Sequence, residues 1–172
     1  MRISMKSKKY LCLAVLGFCI GFYTGKAYPY DENGSRYWLA MNLYFEAGNQ
    51  SDAGRLAVGY VTLNRVMSMS YPDTVQEVVQ QGPTYTNWKG NVWPVKHQCQ
   101  FSWYCDGKSD KPTEPDSWQR AKDIAYGVMN HDLGLGLTDG ADHYHANFIE
   151  PFWAPHMTLV TTIGNHKFYK AN

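Results

Sequence analysis

The period of the apolar pattern changes once along this chain, and that change limits the folds open to it. Between residues 35 and 79, and again between 117 and 129, apolar side chains recur at helical spacing. In the C-terminal third the pattern becomes that of a hairpin. Thr158–Ile163 reads as a strand, Gly164-Asn165 as a two-residue turn and His166–Tyr169 as the returning strand. Helices first and a small antiparallel sheet last specify an α+β domain.

Start and stop signals divide the helical part. Ser35 is a cap for a first helix that Gly48 and Asn49 end. Ser51 and Asp52 cap a second helix reaching about Met67, in which Leu56, Ala57, Tyr60, Val61 and Asn64 keep the period. Thr74 and Glu77 form a capping box before Val78 and Val79. Ser117 opens an amphipathic helix with Trp118, Ala121, Ile124, Ala125, Val128 and Met129 on one face, and Gly134 ends it. Residues 82–116, rich in Gly, Pro, Asn and Trp, read as one long functional loop.

Residues 1–27 are a separate object. Arg2, Lys6, Lys8 and Lys9 precede an apolar stretch from Leu11 to Tyr23, and Gly25-Lys26-Ala27 offers small residues at the two cleavage-specifying positions. This is the pattern of a signal peptide, with too few apolar residues for a full span of about 20. Gly17, Gly21 and Gly25 recur as in membrane helix packing, so an uncleaved signal anchor is the second reading, with membrane association through residues 10–25. Both readings export the domain to the periplasm or cell wall. Residues 28–35 are expected to form a linker, and 36–172 the folded domain. The formal net charge of the whole chain is +1, and residues 1–27 carry five basic and no acidic residues, so the remainder stands at +1 − 5 = −4. A mildly acidic domain without a basic stripe is a poor partner for nucleic acid.

Cys12 and Cys19 lie in the leader, leaving Cys99 and Cys105 in the domain. In an oxidising compartment these two are expected to form a disulfide around Gln100-Phe101-Ser102-Trp103-Tyr104. Their spacing does not suit a CxxC metal knuckle, and no second CxxC is present.

The chemistry centres on Glu46. It is the one carboxylate in the apolar run Trp38–Gln50, on the helix face of Leu39 and Leu43. A carboxyl held against apolar surface resists ionisation, which suits a general acid near neutral pH. The bland alternative is a Glu at a helix end turned out to solvent.

Four landmarks stand in order: Glu46-Ala47, Asn64-Arg65, Gln100-Phe101-Ser102-Trp103 and Gly140-Ala141-Asp142-His143-Tyr144. Pro151, Trp153 and Ile163–Tyr169 complete the set. Together they resemble the SleB-type cell wall hydrolase family of spore-cortex-lytic enzymes, related bacterial hydrolases and phage lysis proteins. The resemblance runs from about Tyr37 to Tyr169. It implies a lysozyme-like or lytic-transglycosylase-like domain that cleaves the glycan strands of peptidoglycan, with Glu46 as catalytic acid. Family members commonly carry Glu-Ala-Arg-Gly-Glu where this chain has Glu46-Ala47-Gly48-Asn49-Gln50, so the second acid is replaced by Gln50.

A single acid fits a lytic transglycosylase, which needs no activated water. Two carboxylates would serve a lysozyme-type hydrolase of the same bond. Asp52 reads as a helix cap and Asp142 as a loop residue. Asn64, Arg65, Gln100, Ser102, Trp103, His143, Tyr144 and Trp153 are the candidate substrate contacts, with no cofactor or metal expected. Two other classes compete. His143 and His145 share one face of a strand and, with His166, would suit a metal-dependent amidase of the peptide stems. Trp93, Trp103, Trp118 and Trp153 would suit a non-catalytic wall-binding module.

Overall fold

A buried helix organises the domain. The computed structural model describes residues 34–130 and 136–172, so the expected leader, most of the linker and the Gly134 helix stop lie outside the described residues. Helix α1 (Ser35–Ala47) buries Leu39, Ala40, Met41, Asn42, Leu43 and Ala47. Around it pack α2 (Asp52–Met67), the short α3 (Val75–Val79) and α4 (Pro115–Met129). Their inward faces supply Ala57, Val58, Val61 and Leu63, then Val75, Val78 and Val79, then Ala121, Ile124, Ala125 and Val128. Each large aliphatic side chain in such a core contributes about 1.5–3 kcal/mol by leaving water. The helices approach closely at Gly59, where an added Cβ would lie 3.3 Å from Val128 Cγ2.

Caps fix the helix ends, in part as expected. The Ser51 hydroxyl accepts from Gly54 N, and the Thr74 hydroxyl accepts from Glu77 N while donating to the Glu77 carboxylate, so only the first half of the expected capping box forms. Two starts differ. Gly34 occupies the cap position of α1 and Ser35 is its first helical residue. Helix α4 starts at Pro115 instead of Ser117, because proline's fixed φ and missing N–H suit the first turn. The Tyr44 hydroxyl accepts from Thr113 N and Glu114 N, which ties this start to α1.

The C-terminal hairpin is β4 (Thr158–Ile163) and β5 (His166–Lys170), joined at Gly164, whose φ is +55°. A further strand, β3 (His143–Ala146), pairs with the other edge of β5, giving the antiparallel order β3-β5-β4. A register shift between Leu159 and Thr161 marks a bulge in β4. The region 82–116 is not one structureless loop. It contains a two-stranded ribbon, β1 (Thr84–Thr86) with β2 (Val92–Pro94), and a 3-10 turn at Ser102–Cys105. The Cys99–Cys105 disulfide is present, with Cα atoms 6.1 Å apart. The chain is thus an α+β domain, a helical part followed by a small antiparallel sheet.

Candidate active site

Glu46 occupies the last turn of α1. Carboxylates are disfavoured at a helix C-terminus, where the dipole is negative. Arg55 counters this locally, its Nε and Nη2 donating to Ala47 O at 3.2 Å and Gly48 O at 2.6 Å. A Cβ at position 48 would lie 2.4 Å from Tyr44 O, so the small residue lets the chain turn tightly after the acid.

The hydroxyl of Tyr144 donates to Glu46 Oε2 at 3.0 Å. Strand β3 brings Tyr144 there, packed against Phe168 and His166 on one face of the sheet. Among the described residues no donor reaches Oε1. Burial raises the pKa of Glu46, while the Tyr144 hydrogen bond and the positive charge of Arg65 pull it partway back; the net direction is up. The Tyr144 phenol is pushed well up, chiefly by burial and then by the Glu46 charge, so it stays a donor.

Glu46 lines a cleft of about 330 Å³ with Phe45, Ser102, Trp103, Asp106, Lys108, Ser109 and Asp110. Its aromatic wall is the stacked pair Phe45 and Trp103, with ring centroids 4.8 Å apart. Trp103 Nε1 donates to Asn42 Oδ1 at 2.9 Å, and Asn42 Nδ2 donates to Thr62 Oγ1 at 3.1 Å. Asn42 lies one turn before Glu46, so a buried polar chain fixes the wall relative to the acid. A second cleft, about 390 Å³ between α1 and α4, is lined by Arg36, Tyr37, Trp118 and Lys122 and lacks Glu46.

The candidate contacts divide. Ser102 and Trp103 line the cleft, and Tyr144 holds the acid. Gln100 is exposed in the disulfide loop but does not line the cleft. Asn64 Nδ2 donates to Ala141 O at 2.8 Å and so anchors the loop before β3. Arg65 is only 5% exposed, which closes it to a substrate carboxylate. It lies between the rings of Tyr71 and Phe101, its Nε donates to Asp142 O, and Nη1 is buried without a hydrogen-bond partner among the described residues. Its influence on Glu46 is through charge.

His143, His145 and Trp153 lie on the opposite sheet face from Tyr144. The rings of both histidines pack on Trp153. His145 is buried, its two nitrogens bonded to Ala146 O and the Tyr169 hydroxyl, and His143 bonds Asp142. His166 is on Tyr144's face, opposite both. Strand alternation therefore separates His166 from the His143–His145 pair proposed for an amidase, and no cluster of three metal-ligating side chains occurs among the described residues. The four tryptophans likewise do not make one platform. Trp103 is buried, Trp118 packs on Tyr37 and Tyr44, Trp153 on the histidines, and only Trp93 is mostly exposed.

Four site residues escaped the sequence reading. Asn42 was legible as a lone amide in an apolar helix, four residues before Glu46. Thr62 carried no distinguishing signal. Asp106 and Asp110 sit in an aperiodic stretch, and only the fold turns them toward Glu46's cleft. Burial and the neighbouring Asp106 push the Asp110 carboxyl up, while the Lys108 amide holds Asp106 down. Gln50 bonds the hairpin turn through Asn165 N at 3.3 Å, so this position bridges α1 to the sheet.

The described fold is similar to two solved structures. One is the catalytic domain of the Bacillus cereus SleB protein, 25% identical, covering 82% of this chain and 92% of that one, with a TM-score of 0.61. The other is the catalytic domain of the germination-specific lytic transglycosylase SleB from Bacillus anthracis, 26% identical, covering 83% and 98%, also at 0.61. No curated protein matches the chain. The family described as Cell Wall Hydrolase matches residues 49–169, a range that opens just after Glu46. On that match, the chain belongs to the cell wall hydrolase family.

Proposed function

We propose that this peptidoglycan-degrading enzyme cuts the glycan backbone between N-acetylmuramic acid and N-acetylglucosamine by a lytic transglycosylase reaction, with Glu46 as acid and then base. The observation that carries the reading is the Glu46 carboxyl itself: raised in pKa by burial, held by Tyr144, and lining a cleft with an aromatic wall. The likeness to a catalytic domain named a lytic transglycosylase supports it.

In this reaction Glu46 gives its proton to the glycosidic oxygen as the bond to muramic acid C1 breaks. The C1 centre becomes oxocarbenium-like. The Glu46 carboxylate then takes the proton of the same sugar's 6-hydroxyl, and O6 closes on C1 as a 1,6-anhydro ring. The tethered hydroxyl has a large effective concentration. Tyr144 orients the carboxyl, and Arg65 stabilises its ionised stage from within the core. Ser102 contacts the sugar, and Trp103, only 6% exposed, meets it through the part of its ring that lines the cleft; Asn64, Arg65, His143 and Trp153 position the elements around the site. Gln100 remains a candidate contact from the disulfide loop.

One observation favours a second reading. Asp106 and Asp110 share the cleft with Glu46, so a carboxylate able to activate water is present, as in a lysozyme-type hydrolase. The Cys99–Cys105 disulfide supports action in an oxidising compartment outside the cytoplasm. Among the described residues no helix is long and apolar enough to cross a membrane.

The test is Glu46→Gln assayed by clearing of purified peptidoglycan. Loss of the acid is expected to lower the rate on the order of 10² to 10⁴ with the circular dichroism spectrum unchanged. Activity within a few-fold of wild type removes Glu46 from this role.

A further inference from the structure

The ribbon β1–β2 serves no core. Thr84–Thr86 is exposed throughout, as are Val92 and Trp93. Tyr85 and Trp93 are direct cross-strand partners, so both rings leave the same face, and they are 54% and 52% exposed. Trp88 at the tip is 89% exposed, with Lys89 Nζ 4.8 Å from its ring centroid. Lone two-stranded ribbons are marginal in water. This one is held at both ends. Asn87 Oδ1 accepts from Lys89 N and Asn91 N at the tip, where Gly90 has φ +81°. At the base Val95 N donates to Pro83 O and Gln100 N to Gln81 O. A Cβ on Gly82 would lie 3.0 Å from Cys99 Cα, so the base sits directly on the disulfide loop.

A rigid ribbon carrying three unburied aromatic rings displays a surface that a partner covers. Its position says which partner. The disulfide loop beneath it continues into Ser102 and Trp103 of the Glu46 cleft, and the Lys96 side chain, just past β2, packs at Gly107 between cleft residues Asp106 and Lys108. The ribbon is therefore continuous with the cleft wall. Pyranose rings present apolar C–H faces that stack on aromatic rings while their hydroxyls stay wet, which suits half-exposed Tyr and Trp. Lys89 is the one charge within residues 84–94, a weak draw for an anionic lipid surface but enough to meet a sugar-borne carboxylate.

We propose that the β1–β2 ribbon is a glycan-binding arm, which holds the polysaccharide strand beyond the cleft on the disulfide side. Tyr85 and Trp93 form the stacking platform, and Trp88 with Lys89 forms the outer contact. The proposal rests on the glycan-cutting reading of the Glu46 cleft. Co-sedimentation with insoluble peptidoglycan, using Glu46→Gln protein so that the polymer survives, tests it. Adding Tyr85→Ala and Trp93→Ala is expected to weaken sedimentation about tenfold or more. Adding Tyr85→Phe and Trp93→Phe instead is expected to retain it, which separates lost stacking from lost folding.

Unchanged sedimentation of the double alanine variant overturns the arm. So does loss of binding to phosphatidylglycerol vesicles with peptidoglycan binding intact, which would make the ribbon a membrane contact. If Glu46→Gln alone still clears peptidoglycan, the underlying reading fails and takes the arm with it. If Glu46→Gln is inert and the alanine pair changes nothing, the arm alone fails.

Discussion

At Glu46 two opposing influences act on one proton. Burial and the helix C-terminus favour the neutral acid, while the Tyr144 hydroxyl and the Arg65 charge favour the carboxylate. Tyr144→Phe removes one of the latter, so the Glu46 pKa rises further and the acid persists to higher pH. The alkaline limb of the pH–rate profile is expected to move upward; an unmoved or lowered limb contradicts the arrangement. Stability follows with a definite sign. A carboxyl whose folded pKa is raised binds its proton more tightly in the native state, so stability is lost as pH rises through the folded pKa. Glu46→Gln keeps an acceptor for Tyr144 and removes this loss. It is expected to melt above wild type at pH 7 and level with it at about pH 4, where the usual carboxyl is itself largely protonated. A lower melting temperature at pH 7 would show that the buried charge is better compensated than these contacts allow.

At the scale of elements, the helices and the final hairpin were legible because their signals are local. The Thr74 cap with its Glu77 partner, the Ser51 cap and the Gly164-Asn165 turn each depend on a few adjacent residues. Strand β3 carried a weaker signal, since four residues are too few to show alternation, and its pairing with β5 is long-range. The ribbon β1–β2 hid in a Gly- and Asn-rich stretch for the same reason. Within the site, Glu46 was legible from its apolar surroundings. The separation of His145 from His166 required the sheet register, and the cleft position of Asp110 required the fold. The disulfide loop joins these scales. Replacing Cys105 by Ser is expected to lower stability by at most about 3 kcal/mol, because the closed loop is short. Activity at a temperature well below melting is expected to fall further than that loss explains, since the loop carries Ser102 and Trp103. Full activity with a lowered melting temperature would reduce the bridge to a staple.

The whole molecule places one acid at a junction. The helical part supplies Glu46, Asn42 and Phe45, the sheet supplies Tyr144, the disulfide loop supplies Trp103, and the segment after it lines the cleft with two further carboxylates. The decisive question is whether the cation formed at muramic acid C1 is captured by its own 6-hydroxyl or by water. Mass spectrometry of the fragments released from purified peptidoglycan in heavy-oxygen water answers it. The account predicts 1,6-anhydro-N-acetylmuramic acid ends without heavy oxygen, and none from Glu46→Gln. Heavy oxygen on most new muramic acid ends would contradict it and move the role of second carboxylate to Asp110 or Asp106; free peptides over an intact glycan would contradict the cleavage site altogether.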